Sequence, residues 1–169
     1  MSTPLLWVYG YWVMSEDPNQ PVKTSFSLYK SDKRILNDLV VGLKREGVKV
    51  RAGTVLRALA HLNSGTEMFA AAVLLDRDLN AKAGPREADT VDFPPPTADL
   101  PQRDRDKMER VSADLLEKEI TSSHSFIMRA LLRSCPDIKT MAPLVRKFLQ
   151  DVPRRTRTVV PKAPPHGRR

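Results

Sequence analysis

Residues 23–62 read KTSFSLYKSDKRILNDLVVGLKREGVKVRAGTVLRALAHL, and the fold is decided there. Along the opening segment side chains alternate, as on an extended strand. Phe26 and Leu28 fall on one face, and Lys23, Ser25, Ser27 and Tyr29 fall on the other. The period then changes. Ser31 and Asp32 offer an N-cap, and Ile35, Leu36, Leu39, Val40 and Leu43 recur at helical spacing as one stripe. Gly47 stands where a glycine ends a helix. A second helix is expected from near Arg51, with Val55, Leu56, Leu59 and Leu62 on its apolar side. One short strand and two amphipathic helices cannot bury these faces unaided, so they require a second copy.

The same chain offers one. A shift of about 72 residues restores the pattern. Leu28 falls on Leu100, Asp32 on Asp104, and Leu36, Leu39 and Leu43 fall on Met108, Val111 and Leu115. Val48 falls on Ile120, and the run Val55 to Leu59 falls on Ile127 to Leu131. A third helix is expected from about Thr66 to Leu79, capped by Ser64, with Phe69 matched to Met141 and Val73 to Val145. The weak point is TADLPQ, the second strand, where Pro101 removes a ladder donor and Asp99 replaces Ser27.

The fold class expected is mainly α with a short two-stranded antiparallel ribbon, two tandem units in one chain. The organisation is a mobile N-terminal arm (1–22), a first unit with an extra helix (23–81), a Pro-rich linker (82–96), a second unit with an extra helix (97–152) and a disordered basic tail (153–169). Pro94, Pro95 and Pro96 favour polyproline II, a stiff spacer rather than a packed element. Residues 1–14 hold both tryptophans. They read either as an apolar arm that docks on the body or a partner, or as residues preceding a natural start at Met14.

The chain has 169 residues, 41% hydrophobic and 6% aromatic, with a net charge of +8. That charge points to a polyanionic partner. It is uneven: Lys23 to Asn63 carries nine basic and three acidic residues, whereas Pro95 to Cys135 carries seven of each. Arg154 to Arg169 adds six basic residues and no acid. A single cysteine, Cys135, excludes an intramolecular disulfide, and no Cys/His spacing suits zinc. The apolar run Leu5 to Met14 is too short to span a bilayer. There is no phosphate loop or nucleophile motif. No catalytic residue, metal or cofactor is expected, and the compartment expected is the cytoplasm, in association with nucleoid or plasmid.

A strand, helix, turn and helix in this register, FSLYKSDKRILNDLVVGLKREG…RAGTVLRALAHL, resembles the ribbon-helix-helix DNA-binding family. DRDKMERVSADLLEKEITSSHSFIMRALLR resembles the helical part of a second unit. Two units on one chain are similar to the single-chain form found in T-DNA and conjugative-plasmid transfer systems, the overdrive-binding virulence proteins among them. The resemblance implies a ribbon, one strand from each unit, that enters the major groove of double-stranded DNA. Its base-reading positions would be Lys23, Ser25, Ser27 and Tyr29, with Thr97 and Asp99 from the second strand. The phosphate-binding positions, at the N-termini of the second helices, would be Arg51, Ala52, Gly53 and Thr54, and Ser122, Ser123, His124 and Ser125. Arg154, Arg155 and Arg157 would add non-specific affinity for DNA.

Such a chain is expected to be a monomer in solution, with DNA, and transfer-machinery proteins or a toxin, as partners. An accessory role in transfer and a role as transcriptional repressor both fit. Two other readings stand beside it. One is an antitoxin-like module that neutralises a partner protein. The other is a helix-turn-helix in which the helix from Arg51 does the reading.

Overall fold

The computed structural model describes residues 5–8, 11–14, 21–81 and 89–152. The chain is mainly helical. Strands β1 (Leu5–Val8) and β2 (Tyr11–Met14) form an antiparallel pair, within the segment expected to be a mobile arm. After β3 (Val22–Ser25) come α1 (Lys30–Arg45), α2 (Ala52–Leu62) and α3 (Gly65–Ala81). The order then repeats as β4 (Thr97–Leu100), α4 (Gln102–Glu117), α5 (His124–Arg133) and α6 (Ile138–Asp151). Strand β3 begins one residue before the expected Lys23.

Strands β3 and β4 pair antiparallel, with Lys23 opposite Asp99 and Ser25 opposite Thr97. Pro101 does not distort β4. It follows the last paired residue and serves as N-cap of α4, where a missing N–H costs nothing. The inner face of the ribbon carries Phe26, Leu28, Ala98 and Leu100, all buried. A buried Phe or Leu contributes about 1.5–3 kcal/mol relative to an exposed one, so this face fixes which side of the ribbon looks outward.

The Pro-rich stretch is not a free spacer. Phe26 N–H donates to the Pro96 carbonyl at 3.0 Å, Asp92 N–H to Leu28 at 2.9 Å, and Lys30 N–H to Thr90 at 3.0 Å. Lys33 Nζ donates to the Pro94 carbonyl and lies 3.2 Å from Asp92. Proline lacks a donor but keeps its acceptor, so the segment can still line the edge of residues 26–30. Residues 82–88, the rest of the expected linker, lie outside the described residues, as does the basic tail with Arg154, Arg155 and Arg157.

Helices α1 and α4 end in the same way. Val48 N–H bonds to Leu43 C=O and Gly47 N–H to Lys44 C=O, with Gly47 at φ +80°. Seventy-two residues on, Ile120 N–H bonds to Leu115 C=O and Glu119 N–H to Leu116 C=O, with Glu119 at φ +60°. This six-to-one and five-to-two pairing about a left-handed residue closes the carbonyls of a helix end. Helix α3 opens with the expected Ser64 cap. Glu67 N–H donates to Ser64 Oγ, and Ser64 N–H donates to Glu67 Oε2, both at 3.1 Å.

Two further expectations need correction. The N-cap of α1 is Tyr29; Asp32 sits inside the first turn and is fully buried. In the third helices the match slips by one residue. Met68, Ala72 and Leu75 are the buried partners in pattern of Met141, Val145 and Phe148, while Phe69 and Val73 are only half-buried. The α5–α6 connection is longer than the α2–α3 connection, which displaces the register.

One hydrophobic cluster runs through all of these elements. Helix α3 packs on α4 and α5, and α6 packs on α1 and α2, so each third helix crosses to the other half. Gly42 on α1 permits this: a Cβ there would lie 2.6 Å from Ile138 Cδ1 of α6. Among the described residues no helix is long and apolar enough to cross a membrane.

Candidate nucleic-acid interface

The outer face of the ribbon is polar. Lys23, Ser25 and Ser27 are exposed, and Thr97 and Asp99 opposite them are half-buried. Directly paired residues share a face, so these five side chains form one patch, with Lys23 and Asp99 bringing opposite charges together across the strands. Tyr29, the sixth expected reading position, is engaged elsewhere. Its ring lies 4.0 Å beneath the Arg129 guanidinium, and its backbone bridges to Val91.

The N-termini of α2 and α5 flank this patch, each against a strand of the opposite half. Gly53 abuts β4 so closely that a Cβ would lie 2.6 Å from the Thr97 carbonyl oxygen. At the equivalent place on α5, Ser125 Oγ accepts the Ser27 N–H at 2.9 Å. Ser125 is thus committed in part to holding the ribbon. Ser123 caps α5 by accepting from Phe126 N–H at 3.2 Å, and its neighbour His124 is half-buried at the helix start. Both helix ends present backbone N–H groups and the positive end of the dipole.

The two ends differ in charge. Beside α2, a cleft of about 1100 Å³ is lined by Lys23, Lys49, Arg51, Arg57, Thr54 and Asp99, among others. Lys44 continues the basic strip with Lys49 and Arg51. Seventy-two residues on, Lys44, Lys49 and Arg51 correspond to Leu116, Thr121 and Ser123, none of them charged. Leu116 is 63% exposed.

Behind the interface lies a buried ionic cluster that spacing alone did not reveal. Asp32 accepts from Arg129 Nε at 2.7 Å, Arg133 Nε at 2.9 Å and Tyr29 N–H at 3.1 Å. These bonds clamp α5 onto the strand–helix junction of the first half. Ser31 donates to Asp89 through both its hydroxyl and its backbone N–H. Partial burial raises the Asp89 carboxyl, but the Ser31 bonds and the nearby Arg133 and Arg129 charges outweigh it and hold the group below its usual value.

Elsewhere, every residue of α2 is buried or half-buried, which leaves this helix less open than the ribbon face. Burial pushes the Cys135 thiol up to about 11, which keeps it protonated at neutral pH. It lies in an apolar groove of about 580 Å³ with Leu74 and Leu144 at the rim. Among the described residues, no group of three or more His, Cys, Asp or Glu side chains could hold a metal ion.

No family model, curated protein or solved structure matches the chain.

Proposed function

We propose that the chain is a tandem ribbon-helix-helix pseudo-dimer that binds double-stranded DNA sequence-specifically, by placing the β3–β4 ribbon in the major groove. It would serve as an accessory factor of plasmid or T-DNA transfer, or as a transcriptional repressor. One observation carries the reading. Strands from two halves 72–75 residues apart pair as an antiparallel ribbon whose polar face, Lys23, Ser25, Ser27, Thr97 and Asp99, is open between two helix N-termini. A two-stranded ribbon fits the major groove, where side chains reach base edges, and flanking helix ends suit phosphates. In this reading Lys23 donates to guanine acceptors. Ser25, Ser27 and Thr97 exchange hydrogen bonds with either partner of a pair, and Asp99 accepts from a cytosine amino group. The test is Lys23→Ala combined with Ser27→Ala. The double variant should keep its fold and lose discrimination between a selected site and random duplex; unchanged discrimination would refute the ribbon assignment.

A second reading, an antitoxin-like module that neutralises a partner protein, draws on the apolar groove between α3, α5 and α6. Leu74 and Leu144 at its rim are 53% and 42% exposed. A chain that ignores duplex at low salt yet binds one protein through a surface lost on Leu74→Asp would favour it.

A further inference from the structure

We propose that Arg57 is a phosphate-binding side chain of the basic cleft, and that its counterpart Arg129 is not. The proposal rests on the DNA-binding reading and makes that binding directional. Seventy-two residues separate Arg57 from Arg129, His61 from Arg133 and Asp32 from Asp104. Three of the four groups of one cluster therefore have equivalents in the other, but only one cluster is closed. Asp32 is fully buried and satisfied by two arginines and the Tyr29 N–H. Arg129 is held by that carboxylate and by the Tyr29 ring, and its side chain is 11% exposed.

The equivalent of Tyr29 is Pro101, which has neither the ring nor an N–H to offer Asp104. Asp104 is buried, and its Oδ2 has no hydrogen bond. The nearest basic side-chain nitrogens are Lys107 Nζ at 3.5 Å and His61 Nδ1 at 3.7 Å. Arg57 has not taken the place that Arg129 takes. Its buried Nε has no partner among the described residues, and its guanidinium sits 5.9 Å over the Phe148 ring. There it lines the cleft beside Lys23, Lys49 and Arg51.

Thr54 and Arg57 are three residues apart on α2, so they share a face. An anion bound at the first turn of α2 would lie within reach of the guanidinium. Arginine carries five donors in a fork that matches phosphate, and an internal carboxylate has not consumed them. The ligand class is a backbone phosphate of duplex DNA leaving the ribbon on the side of the first half. On the other side, the equivalents of Lys44, Lys49 and Arg51 among the described residues are the uncharged Leu116, Thr121 and Ser123, so the two half-sites are gripped unequally.

The experiment compares the full chain with Arg57→Gln and Arg129→Gln. Affinity for a selected duplex is measured across a salt series, and urea unfolding is measured alongside. Arg57→Gln should make the slope of log affinity against log salt shallower by about one, weaken selected and random duplex alike, and leave the unfolding midpoint unchanged. Arg129→Gln should lower the midpoint. An unchanged slope for Arg57→Gln overturns the proposal. So does a midpoint loss as large as that of Arg129→Gln, which would make Arg57 an internal partner of Asp104. Inorganic pyrophosphate tests the cleft without DNA. A shift of the Arg57 Nε–H resonance, with Arg129 unmoved, supports the site, and no shift at Arg57 overturns it. A wild-type chain that binds no duplex at low salt, yet shows the Arg57 shift, would refute the DNA reading and leave the anion site standing.

Discussion

Asp32→Asn should destabilise the chain far more than Asp104→Asn, although both aspartates are buried at equivalent places. Asp32 holds Arg129 Nε at 2.7 Å and Arg133 Nε at 2.9 Å. Neutralising it strands one guanidinium that is almost buried and a second that is 32% exposed. Removing one partner of a buried pair costs about 3–5 kcal/mol, and the exposure of Arg133 places this case near the lower end, about 3 kcal/mol. Asp104 has its nearest basic nitrogens, Lys107 Nζ and His61 Nδ1, at 3.5 and 3.7 Å, and an Oδ2 without a hydrogen bond. An isosteric amide relieves a buried charge there while losing no short bond, so the net cost should stay within about 1 kcal/mol. Urea unfolding followed by helical circular dichroism measures both. With an m-value of about 2 kcal/mol/M, Asp32→Asn should lower the midpoint by about 1.5 M, with m unchanged. Equal midpoints for the two variants, or a larger loss for Asp104→Asn, would refute the reasoning.

Gly53→Ala should cost about 1–3 kcal/mol, because the new Cβ meets the Thr97 backbone carbonyl at 2.6 Å and the ribbon must shift; a thermal melt checks this. Glu119→Gly should stabilise the chain by about 0.5–1 kcal/mol, since a left-handed residue with a Cβ is strained at φ +60°, and a lower melting temperature would contradict it. The Ser31–Asp89 contact should depend on acid pH. Asp89 has a folded value below its unfolded 3.8, so its contribution is complete above 3.8 and is lost as pH falls through the lower folded value. The stability difference between wild type and Asp89→Ala should therefore vanish on acidification.

Local pattern carried much of the fold. The stripe from Ile35 to Leu43, the helix-ending Gly47 and the Ser64 cap are all properties of neighbouring residues, and the 72-residue shift located α4 and α5 from the same periodicity. What escaped depends on distant residues. Asp32 reads as a cap in sequence, but arginines 97 and 101 residues away turn it into an internal anchor. The Pro-rich segment reads as a spacer because proline lacks a donor; its carbonyls nevertheless accept from Phe26 and Lys33. Within the candidate site, Lys23, Ser25, Ser27, Thr97 and Asp99 follow from strand alternation. The cleft at Arg57 does not, because Phe148 reaches it from α6, an element whose register slips from the repeat.

The proposed function requires two halves of one chain to present a single DNA-reading ribbon. Selection of bound sites from a random duplex pool, with the mass of the bound species measured on the enriched site, tests it most directly. One asymmetric motif bound by a single chain, with contacts in the major groove, is the expected result. No enrichment at low salt, or a palindromic motif that needs two chains, would contradict it.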